Sequence, residues 1–491
     1  MIGDGKPFAR TSQYIAGLDL GYELSHSLTL SSTTGFYQTR VVALDIPNQA
    51  DATFPFNPAL GPAALGGITL AYADLRLREI SEEMRLTSSF EGPFNFMLGG
   101  FFQDQKLSEI AASSYNALNP IALYPPVTVK QNGTSYSLFG SLSVKPIDTV
   151  EISGGARYSH ERKEIGFFRL LSGAIGAVPY VAGQQVPTDI SLKRFHNVSP
   201  EATISWRPTS RLTIYGGWKR GFLSGGFNPA GTGTGVLLIP NRSYLEEVVE
   251  GFEGGFKGIL LNGKLRLNLA AYRYDIKGLQ VTVNLPNPNR QIVSNAASAR
   301  SSGIEADFNF DTPVSGLSFR GAIAYNKAKY LSYIASPCYG GQTISLGCNG
   351  GFDNTLNRFT TQDLGGRPLV RAPEWGGSIG ATYEVRDDRG NVFGISADGN
   401  YTSKFFTDTV NNPLGLQKGY WLLDASARYE MANGLSLSLI GRNLTQTYYF
   451  QRSSAAPLTG GPSGVASSFA GDQVASVSRG REIIVRVSFR F

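Results

Sequence analysis

Apolar and polar positions alternate along most of this chain, and the last strand shows the pattern most plainly. Ile483, Val485, Val487, Phe489 and Phe491 point one way; Ile484, Arg486, Ser488 and Arg490 point the other. Side chains on a strand face opposite sides in turn, so the segment has one apolar and one largely charged face. An edge strand of a soluble sandwich would seldom leave aromatics at a terminus, where burial is poor. In a bilayer the arrangement is natural, with the apolar face toward lipid and the cationic face toward a water-filled lumen.

The same period recurs from end to end. Tyr14, Ala16, Leu18, Leu20, Tyr22 and Leu24 form a first run, which turns at Ser25-His26 into Leu28, Leu30 and Phe36. After a long gap come Leu75, Leu77, Met84 and Leu86, the turn Glu91-Gly92-Pro93, then Phe94, Phe96, Leu98 and Phe102. A second long gap extends from about Leu107 to Gly133. Further pairs turn at 146–148, 207–209, 261–263, near Pro313, at 386–390 and at Ala432-Asn433-Gly434; Asn-Gly is a strong hairpin signal. The period-two rule yields about 17 strands. Tight turns alternate with long loops without interruption, and all the tight turns fall on the side of the C-terminus. A sandwich has no reason to segregate its loops in this way. An outer-membrane barrel, with short periplasmic turns and long extracellular loops, does.

Aromatic residues fit the same scheme. Trp375, Phe405, Phe406, Tyr420, Trp421, Tyr448, Tyr449 and Phe450 stand where strands meet long loops, and Phe308, Phe310, Phe489 and Phe491 lie near the opposite rim. Rings of this kind belong at the two membrane–water interfaces.

Composition narrows the choice. The 491 residues include 58 Gly, 29 Phe and 23 Tyr, but 2 Cys and 3 His, and the charged fraction of 17% is low. No apolar stretch is long enough for a spanning helix, which leaves a closed barrel as the membrane solution. The net charge of +6 is spread over strands and turns without a basic cluster, so nucleic acid is not an expected partner. The segment from Met1 to Lys6 has neither an apolar core nor a cleavage pattern. A barrel must be exported, so the chain is expected to begin partway through a longer protein.

Five strings resemble strand segments of TonB-dependent outer-membrane receptors: residues 82–88 (EEMRLTS), 219–228 (KRGFLSGGFN), 295–305 (beginning Asn295-Ala296 and ending Gly303-Ile304-Glu305), 371–375 (RAPEW) and 441–445 (GRNLT). They occur in that family's order and span nearly the whole chain, and the terminal Phe489 and Phe491 match its C-terminal outer-membrane signature. The resemblance implies an all-β, transmembrane antiparallel β-barrel of the outer membrane. About 17 of the family's 22 strands are present in this sequence, the count being set by the period-two rule. Residues 1–491 would then be the C-terminal barrel part, with the plug domain, the TonB box and the first strands outside it. The implied partners are outer-membrane lipid, TonB acting through the missing N-terminal part, and a bulky ligand such as a ferric siderophore. A monomer in the outer membrane of a Gram-negative bacterium is expected.

Catalytic chemistry finds no support. His26, His160 and His196 make no metal-binding pair, and there is neither a nucleophile elbow nor a P-loop. The run from Gly231 to Gly235 opens no helix and reads as loop. No catalytic residue, cofactor or metal ligand is therefore assigned. Cys338 and Cys348, close together in an oxidising compartment, are expected to form a disulfide pinning the loop between Tyr330 and Pro373. Lys264, Arg266, Glu305, Asp307, Arg320, Arg428, Arg442, Glu482, Arg486 and Arg490 are expected to face the lumen as a cross-paired, hydrated wall. Loops containing Tyr115, Asn116, Tyr124 and Pro125 suit a bulky, partly aromatic solute, but no ligand-binding residue can be picked out. The expected function is TonB-energised uptake of a scarce bulky solute, and the alternative is a passive diffusion porin. A soluble solenoid or lectin is a third possibility, set apart by expression without detergent.

Overall fold

The computed structural model describes residues 7–45, 69–115, 124–169, 173–175, 178–180, 192–228, 243–286, 289–354, 358–456 and 472–490. One sheet of 17 strands dominates it. In chain order these are β1 (Phe8–Ser25), β2 (Leu28–Asp45), β3 (Thr69–Ser88), β4 (Phe94–Tyr115), β5 (Tyr124–Ile147) and β6 (Val150–Arg169). There follow β7 (Leu192–Thr209), β8 (Leu212–Leu223), β9 (Glu247–Leu260), β10 (Leu265–Pro286), β11 (Asn289–Asp311) and β12 (Leu317–Ser332). The sheet ends with β13 (Trp375–Arg386), β14 (Val392–Thr402), β15 (Tyr420–Glu430), β16 (Leu435–Arg442) and β17 (Glu482–Phe489). Each strand pairs antiparallel with the one before and the one after it, a pure meander.

The connections segregate as expected. Every second junction, beginning with β1–β2 and ending with β15–β16, is a tight turn, and β17 ends on the same side. Local chemistry makes these turns. Leu261, Asn262 and Gly263 take positive φ of 51°, 56° and 94° between β9 and β10, which glycine and asparagine tolerate best. Asp387 accepts from the backbone N–H groups of Arg389 and Asn391 and from the Asn391 amide, closing the β13–β14 turn. Those bonds, led by the Asn391 side chain, hold its carboxyl below the usual range. At the other end of the sheet the Arg490 N–H donates to Gly434 O, tying the chain end to the β15–β16 turn.

The outward face is apolar. Leu138 on β5 is 71% exposed and Val485 on β17 also 71%, with Leu18, Phe252 and Ile304 similarly uncovered. No helix of the described residues is long and apolar enough to cross a membrane, and strands are what cross here. Among the described residues β1 and β17 are each paired on one side only. Even the inward Ile15 of β1 is 77% exposed, so that edge lacks a neighbour on every front but one.

Two expectations need correction. The gap from Leu107 to Gly133 is mostly strand: β4 runs on to Tyr115 and β5 begins at Tyr124. Likewise β10 and β11 continue beyond their apolar stretches until only residues 287 and 288 separate them. These overhangs stand in water beyond the bilayer, where no lipid demands an apolar outer face, so the alternation fades while the ladder persists. Within β3, Leu75 and Leu77 face inward whereas Met84 and Leu86 face outward, although the register to β2 is unbroken.

Candidate functional site

The inner wall is polar and cross-linked. The Arg320 guanidinium donates to both oxygens of Asp398 at 2.6 and 2.7 Å, Arg428 donates to Glu384 at 2.7 Å, and Asn268 donates to Asp307 at 2.9 Å. Lys219 and Tyr274 both donate to Glu253. Such half-exposed pairs stabilise by about 0–1 kcal/mol each; their larger effect is to keep the lumen wet. Of the expected lumenal charges, Arg266, Glu305, Asp307, Arg320, Arg428, Arg442, Glu482 and Arg486 lie on inward positions, and Arg442 stands opposite Glu482. Lys264 instead lies in the β9–β10 turn, and Arg490 follows the end of β17. Both therefore belong to the periplasmic rim, because the strands end before them.

The extracellular ends of β10–β17 carry a folded cap. Val281, Ile292, Ala297, Tyr330, Tyr333 and Leu364 form a buried apolar cluster there, with Tyr330 1% exposed. The loop after β12 adds a small sheet of residues 336–337, 350–353 and 358–362, in which Cys338 and Cys348 are joined with Cα atoms 5.6 Å apart. Gln362 donates to Pro337 O and Val410 O, and Asn411 to Pro368 O, so the loops after β12 and β14 hold each other. Thr409 reaches back to Thr282 O on β10. Asp408 sits in this cap with Oδ1 accepting from Val410 N and Asn412 N and Oδ2 buried without a hydrogen bond. Burial pushes its carboxyl above the ordinary range despite those bonds.

Four of the five signature strings act as latches between wall and loops. Asn228 donates to Val293 O and accepts from Val293 N, so its buried amide completes the edge of β11. Asn295 donates to Gly278 O and Leu245 O and accepts from Leu245 N, bracing the bulge at Gly278, where φ is +64°. Arg371, at φ 53°, donates its N–H to Phe406 O. Asn443, at φ 47°, accepts from Thr447 N and donates to Thr447 O and Arg479 O, joining the exit of β16 to the entry of β17. In the remaining string Glu82 faces outward within the apolar band, its two oxygens accepting from Ser32 and Thr34.

The aromatic residues gather at the level of this cap's base. Tyr325 and Trp375 lie 4.8 Å apart by ring centroids, Tyr401 and Trp421 5.1 Å, and Tyr420 stacks on Tyr449 at 4.4 Å. Phe489 faces outward opposite Leu435 near the periplasmic rim. Phe491, Asn116 and the run 231–235 lie outside the described residues; Tyr115, Tyr124 and Pro125 fall in strand ends. Sequence reasoning missed Lys163, which donates to Ser224 Oγ and Gly225 O, pairs with Glu161 at 3.1 Å and lies over the Phe195 ring. Nothing in the charged run 161–164 marks it out. Among the described residues no group of three or more His, Cys, Asp or Glu could hold a metal ion.

Outward apolar strands, a polar inner wall, tight turns on one rim and folded loops on the other define an outer-membrane β-barrel. The family model for the TonB dependent receptor-like β-barrel matches residues 3–444, and the chain belongs to that family. Its place is accordingly the outer membrane of a Gram-negative bacterium. The chain is 24% identical over 300 residues to a metal-pseudopaline receptor of Pseudomonas aeruginosa, a stretch covering 61% of this chain and 35% of that protein. Its fold is similar to the ferric yersiniabactin uptake receptor of Yersinia pestis, with TM-score 0.71 and 16% identity over 99% of this chain and 62% of that one. It is also similar to a siderophore receptor of Acinetobacter baumannii, with TM-score 0.68 and 17% identity, covering 99% and 65%. The chain thus spans about a third of the curated relative's length and under two thirds of either solved structure.

Proposed function

We propose that this chain is the barrel part of a receptor that imports a scarce, bulky solute, most simply a metal–siderophore complex, with energy supplied through TonB. In this reading a plug domain and TonB box complete the protein, and residues 1–491 form the C-terminal wall around it. The observation that carries the reading is the cap. Loops that fold on their own apolar cluster and cross-brace one another, above a wet lumen, form a shaped rim suited to recognising a large ligand. The similar proteins, a metal-pseudopaline receptor, a ferric yersiniabactin uptake receptor and a siderophore receptor, favour the same class of cargo.

Two measurements test it. Expression under iron restriction, followed by uptake of radiolabelled ferric siderophores in cells with and without the gene, should show gene-dependent uptake that vanishes when the proton gradient is collapsed. Uptake insensitive to the gradient, together with a steady open conductance of the complete protein in planar bilayers, would instead establish a diffusion porin.

A further inference from the structure

The register of β6 against β7 does what spacing along the chain does not: it sets His160 directly opposite His196, 36 residues away. Both imidazoles are on the outward face, and their Nδ1 atoms lie 2.9 Å apart. Tyr158, one outward position below His160, brings its Oη to 3.1 Å from the same His196 Nδ1. Three donor atoms therefore converge, two of them imidazole nitrogens and the third a phenol. Tyr136, opposite His160 on β5, stacks on the His160 ring at 4.7 Å between centroids and holds its plane.

Hydrogen bonding alone does not use this arrangement fully. In the neutral ring His196 Nδ1 carries either one proton or one lone pair. It completes one bond, with Tyr158 or with His160, and the other contact is left over. A cation between the three atoms would take a lone pair from each. Imidazole nitrogens stand about 2.0–2.1 Å from such a metal. Two bonds of that length at a right angle put the nitrogens about 2.8–3.0 Å apart, as here, whereas a tetrahedral angle needs about 3.3–3.4 Å. Nitrogen and oxygen ligands at right angles mark the tetragonal shell that Cu2+ and Ni2+ prefer.

The position is open to solutes. His160 is the eleventh residue of β6, and about 9–11 residues carry a tilted strand across a bilayer. The pair thus stands at the extracellular surface of the membrane, with His196 exposed and His160 half-buried, so water can fill the remaining ligand positions. Arg162 and Arg194 occupy the next outward pair above. Glu164, 2.9 Å from Arg162, offsets one of these charges, and the Arg194 charge opposes a bound cation.

We propose that Tyr158, His160 and His196 form a site for a divalent transition cation of tetragonal preference, Cu2+ binding ahead of Ni2+ and Zn2+. The two imidazoles are its principal ligands and the phenol a weaker third. The bound ion ties β6 to β7 beneath the segment that joins them. The site lies on the outer side of the wall, apart from the lumen, so it stands whatever the cargo is.

Cupric chloride titrated alone into the full chain in detergent, in a buffer that does not bind metals, tests this. Electron paramagnetic resonance should show Cu2+ coupled to two imidazole nitrogens, and the thermal unfolding midpoint should rise as the ion binds. His160→Gln and His196→Gln should each weaken binding about tenfold or more. Tyr158→Phe should weaken it less, Arg194→Gln should tighten it, and His26→Gln should leave it unaltered. Copper bound without nitrogen coupling overturns the proposal, as does coupling that persists in the double variant His160→Gln/His196→Gln. Should the double variant not fold, His26→Gln decides, because the pair then supplies the only histidines of the chain: retained two-nitrogen coupling upholds the site and its loss overturns it.

Discussion

The membrane band and the extracellular overhang are built from the same strands yet obey opposite rules of burial. On β5, Leu138 and Leu142 face outward and are exposed, while the inward Ser137 is buried against Ser159 of β6. Higher on the same two strands Val129 and Ile165 face inward and are buried at 2% and 1%, with charged neighbours outside. The register of β5 against β6 does not shift between the two levels. The backbone is therefore indifferent, and the surroundings decide which face is greasy: lipid below, water above. Below, apolar side chains are stable because nothing wet touches them; above, the same residues must find one another in the cap.

That contrast can be broken most severely in the cap. Replacing Tyr330 by Ala empties the middle of the only large apolar cluster outside the bilayer among the described residues. The expected loss is about 3–5 kcal/mol, confined to the loops. Hydrogen exchange should accelerate in residues 333–374 while the band stays protected. Should protection fall equally in β5 and β6, the two regions are a single cooperative unit.

Next in size is Leu142→Arg, which puts a charge on the lipid side near mid-height, five residues above the tight turn. A cost of about 2–4 kcal/mol is expected for a basic residue at the bilayer midplane, read as a lower urea midpoint in liposomes. The matching change Ser108→Arg, outward but on the overhang of β4, should move that midpoint by less than about 0.5 kcal/mol. Comparable losses at both positions would mean that the lipid boundary does not lie between them.

Opening the cross-link by changing Cys338 and Cys348 to Ser should weaken its loop by about 2–3 kcal/mol on the usual loop-closure estimate. Limited proteolysis would then cut the segment 339–347 faster while leaving barrel insertion intact. An unchanged cleavage rate would show that Gln342, which bonds Leu346 O and Gln362, holds the loop unaided.

The smallest effect concerns Asp408. Its carboxyl is raised above 3.8 by burial, so the folded cap prefers the protonated form. The favourable contribution is complete at or below the unfolded value and is lost as pH rises through the raised one. Exchange in residues 405–417 should accelerate over that rise, and Asp408→Asn should flatten the dependence. A variant with the same slope as the parent would assign the titration elsewhere.

Legibility followed the lipid. Leu18, Leu142 and Val485 could be read because a bilayer imposes strict alternation, and tight turns such as Asn433-Gly434 punctuate it. The overhangs of β4, β5, β10 and β11 escaped, since Val281 and Ile292 are apolar for the cap's sake and obey no period set by lipid. The signature strings announced the family, but their work as latches depends on partners far along the chain: Asn228 with Val293, Asn443 with Arg479.

The sequence by itself determined the sheet, its two faces, the sidedness of its turns and the membrane it belongs to, because each follows from local period and local turn chemistry. Only the tertiary structure decided how far the strands climb above the bilayer, which loops brace one another, and that Arg78 meets Lys106 while Arg162 meets Arg194. Those outcomes depend on register between strands, and a register is a relation between distant segments that no single stretch of residues carries.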